Sequence, residues 1–126
     1  MIRWHIRDRE ESPQRYKLGA LLRFVADHDR TGASWQVNRA SGYGESICSL
    51  DDRLQGTKGA LRLAKSDLLS ICNDPDQWFY DLDCTDERSG FRFGVFDSSV
   101  LFFESEDDLS VELAGHFSEV SVCRPS

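Results

Sequence analysis

The 126-residue sequence lacks the motifs and hydrophobic runs that mark membrane proteins, secreted disulfide-bonded proteins or zinc proteins. Its four cysteines include no close C-x-x-C pair, which favours reduced and mostly buried thiols. No run approaches the roughly 20 apolar residues that a membrane span requires. Residues 1–5 also lack the apolar segment of a signal peptide. We therefore expect a cytoplasmic protein that does not interact with a membrane.

Recognisable catalytic and metal-ligand patterns are missing as well. Ser98 and Ser99 follow Asp97 without a G-x-S-x-G elbow, so we interpret this segment as a turn. The three histidines show neither H-x-x-x-H nor H-E-x-x-H spacing, and no acidic run matches a calcium-binding loop. Residues 42–44 lack the third glycine of a dinucleotide-binding loop. The sequence therefore predicts neither enzymatic activity nor a bound metal or cofactor.

Charge is distributed unevenly along the chain. Residues 1–65 hold 12 Lys and Arg against 8 Asp and Glu, whereas residues 66–126 hold 3 against 14. A surplus of one sign affects solubility, encounter rate and the choice of partner. The acidic second part disfavours a nucleic acid ligand and favours a basic protein partner.

Residues 78–103 contain six of the eight phenylalanines and have a clear strand pattern. Successive residues of a strand point to opposite faces of the sheet. The buried face of the first strand is predicted to carry Trp78, Tyr80, Leu82 and Cys84. The opposite face is predicted to carry Phe79, Asp81 and Asp83.

Two further strands follow within the same stretch. Residues 86–90 have the composition of a hairpin loop, and residues 91–96 alternate again. Residues 100–103 are apolar at every position, which suits a central strand that is covered on both faces. The stretch therefore predicts an antiparallel three-stranded β-meander.

Hydrophobic periodicity predicts about three α-helices. The first starts at Ser12 and Pro13 and buries a stripe made of Leu18, Leu21, Leu22 and Val25. The second runs from a cap at Ser66 to about residue 73. The third follows a capping box at residues 105–108 and buries Leu109, Leu113 and Phe117.

Short alternating runs at both ends predict two more strands. Residues 2–6 alternate apolar and charged side chains, which is typical of an edge strand. Val120 and Val122 indicate a closing strand. Together these elements predict a single α+β domain over residues 1–126, with an acidic, sheet-rich half at residues 78–122.

Residues 32–58 are the least regular part of the sequence. Four glycines are spread among polar residues, so the segment is predicted to be a long binding loop or a short hairpin. In the hairpin, Trp35 and Val37 would precede the turn at residues 42–44, and Ile47 would follow it. Both alternatives remain open at this point.

Two interpretations fit the acidic side chains of the second half. In the first, they only solvate the sheet and complement the positive end of a helix dipole. In the second, they form a surface that attracts a basic partner, and an aromatic anchor holds it. The residues of this predicted surface are Asp81, Asp83, Glu104, Glu106, Asp107 and Asp108, with Phe79 as the anchor and Tyr43 or Trp35 as a further one.

A family resemblance favours the second interpretation. WFYDLD, together with FGVFDSSVLFFESEDDLSVELAGHFSEVSV, resembles the C-terminal half of small acidic immunity proteins that bacteria make against polymorphic or contact-dependent toxins. The resemblance spans residues 78–122 and rests on the order of strand, Asp-Ser-Ser turn, apolar strand, short helix and final strand. It implies an inhibitor that binds a cognate toxin, often a basic nuclease, by acidic mimicry of its substrate. The alternative is a non-catalytic adaptor or subunit of a larger, phage-derived assembly that uses the aromatic-rich sheet as its interface.

Overall fold

One antiparallel sheet carries the helices of the chain within residues 1–9, 17–57 and 61–123, which a computed structural model describes. The strands are β1 (Ile2–Ile6), β2 (Ser34–Tyr43), β3 (Leu61–Ala64), β4 (Trp78–Thr85), β5 (Arg92–Phe96), β6 (Val100–Ser105) and β7 (Val120–Cys123). The helices are α1 (Leu18–Asp27), α2 (Glu45–Gly56), α3 (Lys65–Asn73) and α4 (Ser110–His116). The predicted α+β class is confirmed, although the described residues contain four helices and not three.

The strand order is β3-β2-β4-β5-β6-β1-β7, and every neighbouring pair is antiparallel. The predicted meander is therefore confirmed, because β4, β5 and β6 are successive neighbours. The four apolar residues of β6 are all buried, as expected for a central strand. No helix within the described residues has the length and apolar character needed to cross a bilayer.

The helices pack on one face of the sheet. This face carries Trp4, Trp35, Phe93 and Phe103, which are fully buried. Phe24 of α1 contacts Phe103 with 5.8 Å between ring centres. Burial of each of these large side chains contributes roughly 1.5–3 kcal/mol to folding. The opposite face of the sheet carries most of the charged side chains of the strands and is open to solvent.

The position of β1 differs from the prediction. It lies between β6 and β7, so the predicted edge strand is an inner strand. Arg3 lies across from Glu104 of β6, with 3.5 Å between Nη1 and Oε1. Its guanidinium also lies 4.5 Å from the ring centre of Phe102. The ion pair between Arg3 and Glu104 therefore explains how a strand with charged residues can lie inside the sheet and not at its edge.

The three predicted helices are present, but the caps predicted at Ser66 and at residues 105–108 are not formed. The stripes predicted for the first and last helices are buried, and the predicted start at Ser12 and Pro13 lies outside the described residues. Ser66 does not cap α3, because Ala64 occupies the cap position. The capping box at residues 105–108 does not form, because α4 begins at Ser110.

The segment at residues 32–58 is not a long loop, and only the first strand of the predicted hairpin is present, because Trp35 and Val37 lie on a strand and Ile47 lies on a helix. It forms the ten-residue strand β2 and the twelve-residue helix α2, while residue 58 lies outside the described part. Ile47, Leu50 and Leu54 occupy helix positions i, i+3 and i+7 and are buried. The glycines of this segment are typical of a loop, so the helical stripe was not recognised in the sequence. Gly44 lies outside the helix, at its N-cap position.

The pairing of β2 with β4 contains two register shifts. The second separates the pairs Ser41–Asp81 and Gly42–Phe79, so Tyr80 has no opposite residue on β2. Such a β-bulge reverses the faces of the residues beyond it. Phe79 is consequently 2% exposed and Tyr80 is 48% exposed, which is the reverse of the prediction.

Asp8 connects the end of β1 to the segment between α4 and β7. Its buried carboxylate accepts hydrogen bonds from Ser118 N at 2.8 Å, Ser118 Oγ at 3.0 Å and Glu119 N at 2.6 Å. Burial by itself raises the pKa of Asp8. The hydrogen bonds from Ser118 and Glu119, with Lys17 nearby, outweigh burial and lower this pKa below its usual value.

We expect Asp8 to make folding stability pH-dependent. Because its pKa is lower in the folded than in the unfolded state, its contribution is present above the unfolded-state value of about 3.9 and is lost as the pH falls towards the folded-state value. Asp8→Asn should lower the free energy of unfolding at pH 7 by about 2 kcal/mol and flatten this acid dependence. Urea unfolding from pH 7 to pH 3 measures both effects. An equally steep acid limb in Asp8→Asn would contradict this assignment.

Gly94 permits the close approach of β5 to β4. A Cβ atom at this position would lie 1.8 Å from the carbonyl oxygen of Leu82. We expect Gly94→Ala to lower the free energy of unfolding by about 2–4 kcal/mol. Gly115→Ala is the control, because nothing lies within 4 Å of its added Cβ and alanine favours the helix by up to about 1 kcal/mol. Equal urea midpoints for Gly94→Ala and the unaltered protein would contradict the close packing.

Candidate functional site

Three of the predicted contact carboxylates lie on the open face of the sheet, but basic side chains surround them. Neighbouring strands β2, β4, β5, β6 and β1 carry a row of alternating charge, which consists of Arg39, Asp83, Arg92, Glu104 and Arg3. Asp83 and Arg92 are diagonal neighbours, because Asp83 lies opposite Gly94, whereas the other successive pairs lie directly opposite each other. The acidic surface predicted for this face is therefore an acidic and basic mixture.

Arg92 holds the centre of this row. Its Nε donates a hydrogen bond to Asp83 Oδ1 at 2.9 Å, its Nη2 forms a second bond to Oδ2, and its Nη1 lies 3.6 Å from Glu104 Oε2. The hydrogen bond to Asp83 raises the pKa of Arg92. The side chains of Asp83 and Glu104 are only 16% and 15% exposed. These two carboxylates are engaged within the protein and are poorly placed to attract a partner.

Asp81 is also engaged in local contacts. Its Oδ1 accepts a hydrogen bond from Asp97 N at 3.1 Å, and its Oδ2 accepts one from Ser41 Oγ at 3.4 Å. A shallow groove of about 220 Å³ lies above Asp81 and the charged row, and three arginines line it. Its lining gives no excess of negative charge.

The other three predicted carboxylates form a separate group in the loop between β6 and α4. Asp107 pairs with Arg30, and Glu106 Oε2 lies 3.9 Å from the amino group of Met1. Asp108 accepts a hydrogen bond from Ser110 N at 2.9 Å. Hydrogen bonding from Ser110 lowers the pKa of Asp108. This loop is exposed, and nothing in the structure tests its predicted role in partner binding.

Both the predicted anchor and one alternative belong to the core. Phe79 is 2% exposed, and Trp35 is fully buried with its ring 4.7 Å from that of Phe93. Neither ring is available to a partner. Tyr43, the other alternative, is 66% exposed at the end of β2.

A different surface combines aromatic rings with negative charge. Tyr43 and Tyr80 border a groove of about 700 Å³ together with Glu45, Asp74 and Asp76. Among the residues that the structure describes, no Lys, Arg or His lines it. We call this surface the tyrosine groove. Among these five residues, the sequence predicted a role in partner binding only for Tyr43.

Local backbone geometry builds the tyrosine groove. Gly44 has a φ of +121°, and a Cβ atom there would lie 2.1 Å from Gln77 Oε1. Gln77 Oε1 in turn accepts a hydrogen bond from Ile47 N at 3.3 Å in the first turn of α2. This bond satisfies one of the free N–H groups at the helix start and connects the two walls of the groove. The groove is therefore preformed.

The electrostatics of the groove favour cations. Asp74 follows α3 directly, and its Oδ1 accepts a hydrogen bond from Asp76 N at 2.9 Å. The C-terminal end of α3 adds partial negative charge, and the N-terminal end of α2, which also lines the groove, adds partial positive charge. These two helix ends oppose each other, so the negative charge of the groove comes from Glu45, Asp74 and Asp76. Two tyrosine faces beside such charges suit the ammonium or guanidinium group of a lysine or arginine.

Within the described residues, no three or more His, Cys, Asp or Glu side chains are arranged to hold a metal ion. His28 Nε2 lies 3.6 Å from Glu112 Oε2, and its Nδ1 accepts a hydrogen bond from Arg30 N at 3.2 Å. These contacts connect α1 to α4 and are structural.

No protein-family model, curated protein or solved structure matches the chain. The pattern-level resemblance to immunity proteins therefore has no independent support, and the functional argument depends on the surfaces described above.

The cysteines provide a test of the groove's accessibility. Cys48 is exposed and lines the tyrosine groove, whereas Cys84 is fully buried. Burial raises the pKa of Cys72 to about 12, which leaves almost no reactive thiolate at neutral pH. We expect a maleimide reagent to modify Cys48 fastest in the native protein and Cys84 only after unfolding. Mass spectrometry of peptides, with Cys48→Ser as the control, measures this order, and faster labelling of Cys84 would contradict the described core.

Proposed function

We propose that the protein is a non-enzymatic, cytoplasmic bacterial inhibitor that binds a basic protein, such as a toxin or nuclease, through the tyrosine groove. One observation carries this proposal. Two exposed tyrosines and three carboxylates line a single preformed groove, and none of the described residues that line it is basic.

The two kinds of side chain have different roles in the proposed complex. Exposed carboxylates attract a basic surface over a distance of about 8–10 Å and speed encounter. Tyr43 and Tyr80 then contact the partner and lose their water. Tyrosine has few rotatable bonds, so it forms a large contact at a small cost in conformational entropy. The carboxylates thus govern association, while the tyrosines govern dissociation.

The total charge of the chain supports the same proposal. A net charge of −7 repels nucleic acid and attracts the positive substrate site of a nuclease. Blocking that site would inhibit the enzyme without any chemistry by the inhibitor. The alternative adaptor would use the aromatic-rich sheet as its interface, and it has less support, because Phe91, Phe93 and Phe103 are fully buried.

We expect charge reversal in the groove to slow association. Glu45→Lys combined with Asp76→Lys should reduce the association rate with the captured basic protein at least tenfold at low salt, and much less at high salt. The matched control is Asp29→Lys with Asp52→Lys, which makes the same change in net charge at exposed positions outside the groove. The measurement is surface plasmon resonance on the protein that the tagged chain retains from a bacterial lysate.

Three outcomes would count against this proposal. If the control slows association as much as the groove variant, only total charge matters. If Glu106→Lys with Asp108→Lys has the larger effect, the contact lies on the loop before α4. If the tagged chain retains no basic protein at low salt, the proposed inhibitor function itself is contradicted.

We expect truncation of the tyrosines to act on dissociation. Tyr80→Ala should raise the dissociation rate about tenfold or more and leave the association rate within about twofold. Tyr80→Phe retains the ring and should change the dissociation rate much less. Val111→Ala is a control at an exposed apolar residue outside the groove. An equal effect of Tyr80→Ala and Val111→Ala would exclude a specific role for the groove.

A further inference from the structure

The outer edge of β7, the last strand of the sheet, is unpaired within the described residues. β7 pairs with β1 on one side, and no described residue pairs with it on the other. Its sequence is Val-Ser-Val-Cys, without charge or proline. The opposite edge strand, β3, carries Arg62, which pairs with Glu87. Charged residues and proline are the usual protection of an edge strand against pairing with another chain.

The hydrogen-bond pattern shows which groups of β7 point outwards. Arg7 N donates to Glu119 O at 2.9 Å, one step beyond the pairs that join β1 and β7. In an antiparallel ladder, alternate residues direct their N–H and C=O groups to the same neighbour. Ser121 and Cys123 therefore bond to β1. The backbone groups of Val120 and Val122 are directed to the free edge.

The side chain of Val122 adds an apolar contact to this edge. Val122 lies opposite Trp4, on the face of the sheet that the helices cover, and yet it is 51% exposed. Val120 is partly buried on the same face and packs against the core. An added strand would cover Val122 while it satisfied the outward backbone groups of both valines.

We propose that this strand is β7 of a second copy of the chain, which makes the protein a two-fold symmetric dimer with one continuous sheet. Antiparallel pairing of a strand with its own copy is self-complementary when the axis passes through the middle of the strand. An axis at Ser121 places Val120 opposite Val122 of the second copy. The two outward valines of each chain then form four backbone hydrogen bonds and one valine cluster. Since β7 has no charged residue, this pairing brings no like charges together within the strand.

The dimer leaves the tyrosine groove accessible. Its tyrosines lie on β2 and β4, and four strand spacings separate β4 from β7, which is about 19 Å. The two grooves of the dimer lie towards opposite ends of the joined sheet. This inference is independent of the proposed inhibitor function.

Salt should affect the dimer and the groove in opposite directions. Each chain has a net charge of −7, so two copies repel one another at low salt. Screening should tighten the dimer as salt rises, whereas it should weaken binding of a basic protein to the groove. The two interactions can therefore be distinguished in one salt series.

Sedimentation velocity on the purified chain tests the dimer. We expect a mass of twice 14.4 kDa at high salt, with the dimer dissociating on dilution. Val122→Lys should raise the dimer dissociation constant at least tenfold, because it places charge in the valine cluster. Val122→Pro removes an outward N–H without removing a bond to β1, and it should have a similar effect. Ala64→Lys, on the opposite edge strand, is the matched control and should leave the mass unchanged.

Circular dichroism of each variant shows whether it is folded. If Val122→Pro does not fold, Val122→Lys decides the question, since an exposed lysine is compatible with an edge strand. A mass of 14.4 kDa for the unaltered chain at every concentration and salt would overturn the proposal. An unchanged dimer in the folded Val122→Lys variant would overturn it as well.

Discussion

The register shift between β2 and β4 is the constraint on which the candidate site depends. Without it, strict alternation would bury Tyr80 and expose Phe79. Gly42 lies at this shift, and a Cβ atom there would lie 2.1 Å from the carbonyl oxygen of Trp78. The close approach of two backbones thus moves one aromatic ring into the core and the next to the surface. The same shift places Tyr80 near Tyr43 and gives the tyrosine groove its two aromatic walls.

The charge of a sequence segment does not determine the charge of the surface that the segment forms. Residues 66–126 are strongly acidic in composition, but their carboxylates on the open face pair with Arg3 and Arg92. The first of these arginines comes from the opposite, basic part of the chain. Tertiary structure therefore neutralises charge that is separated in sequence. In the tyrosine groove, none of the described lining residues is an arginine, so the carboxylates there are not neutralised in this way.

The two proposed surfaces use different parts of one sheet. The groove lies at the ends of β2 and β4 and offers side chains, namely aromatic faces and carboxylates. The edge of β7 offers backbone groups and valine. Binding at one surface does not block the other, so a dimer would carry two inhibitor sites. Their opposite responses to salt follow from the same excess of negative charge.

Hydrophobic periodicity by itself determined the α+β class, the meander and the buried stripes of α1 and α4, because burial of apolar side chains depends on local spacing. It could not reveal β2 and α2, where glycines required by close contacts with Trp78 and Gln77 resembled loop residues. The charge distribution placed the predicted contact surface on six carboxylates with Phe79 as the anchor, and only the tertiary structure shows that Phe79 is buried and that Asp83 and Glu104 are paired with Arg92. The reason is physical: a bulge, an ion pair and a neighbouring strand each depend on residues that are distant in sequence, and a linear pattern contains no information on their separation in space.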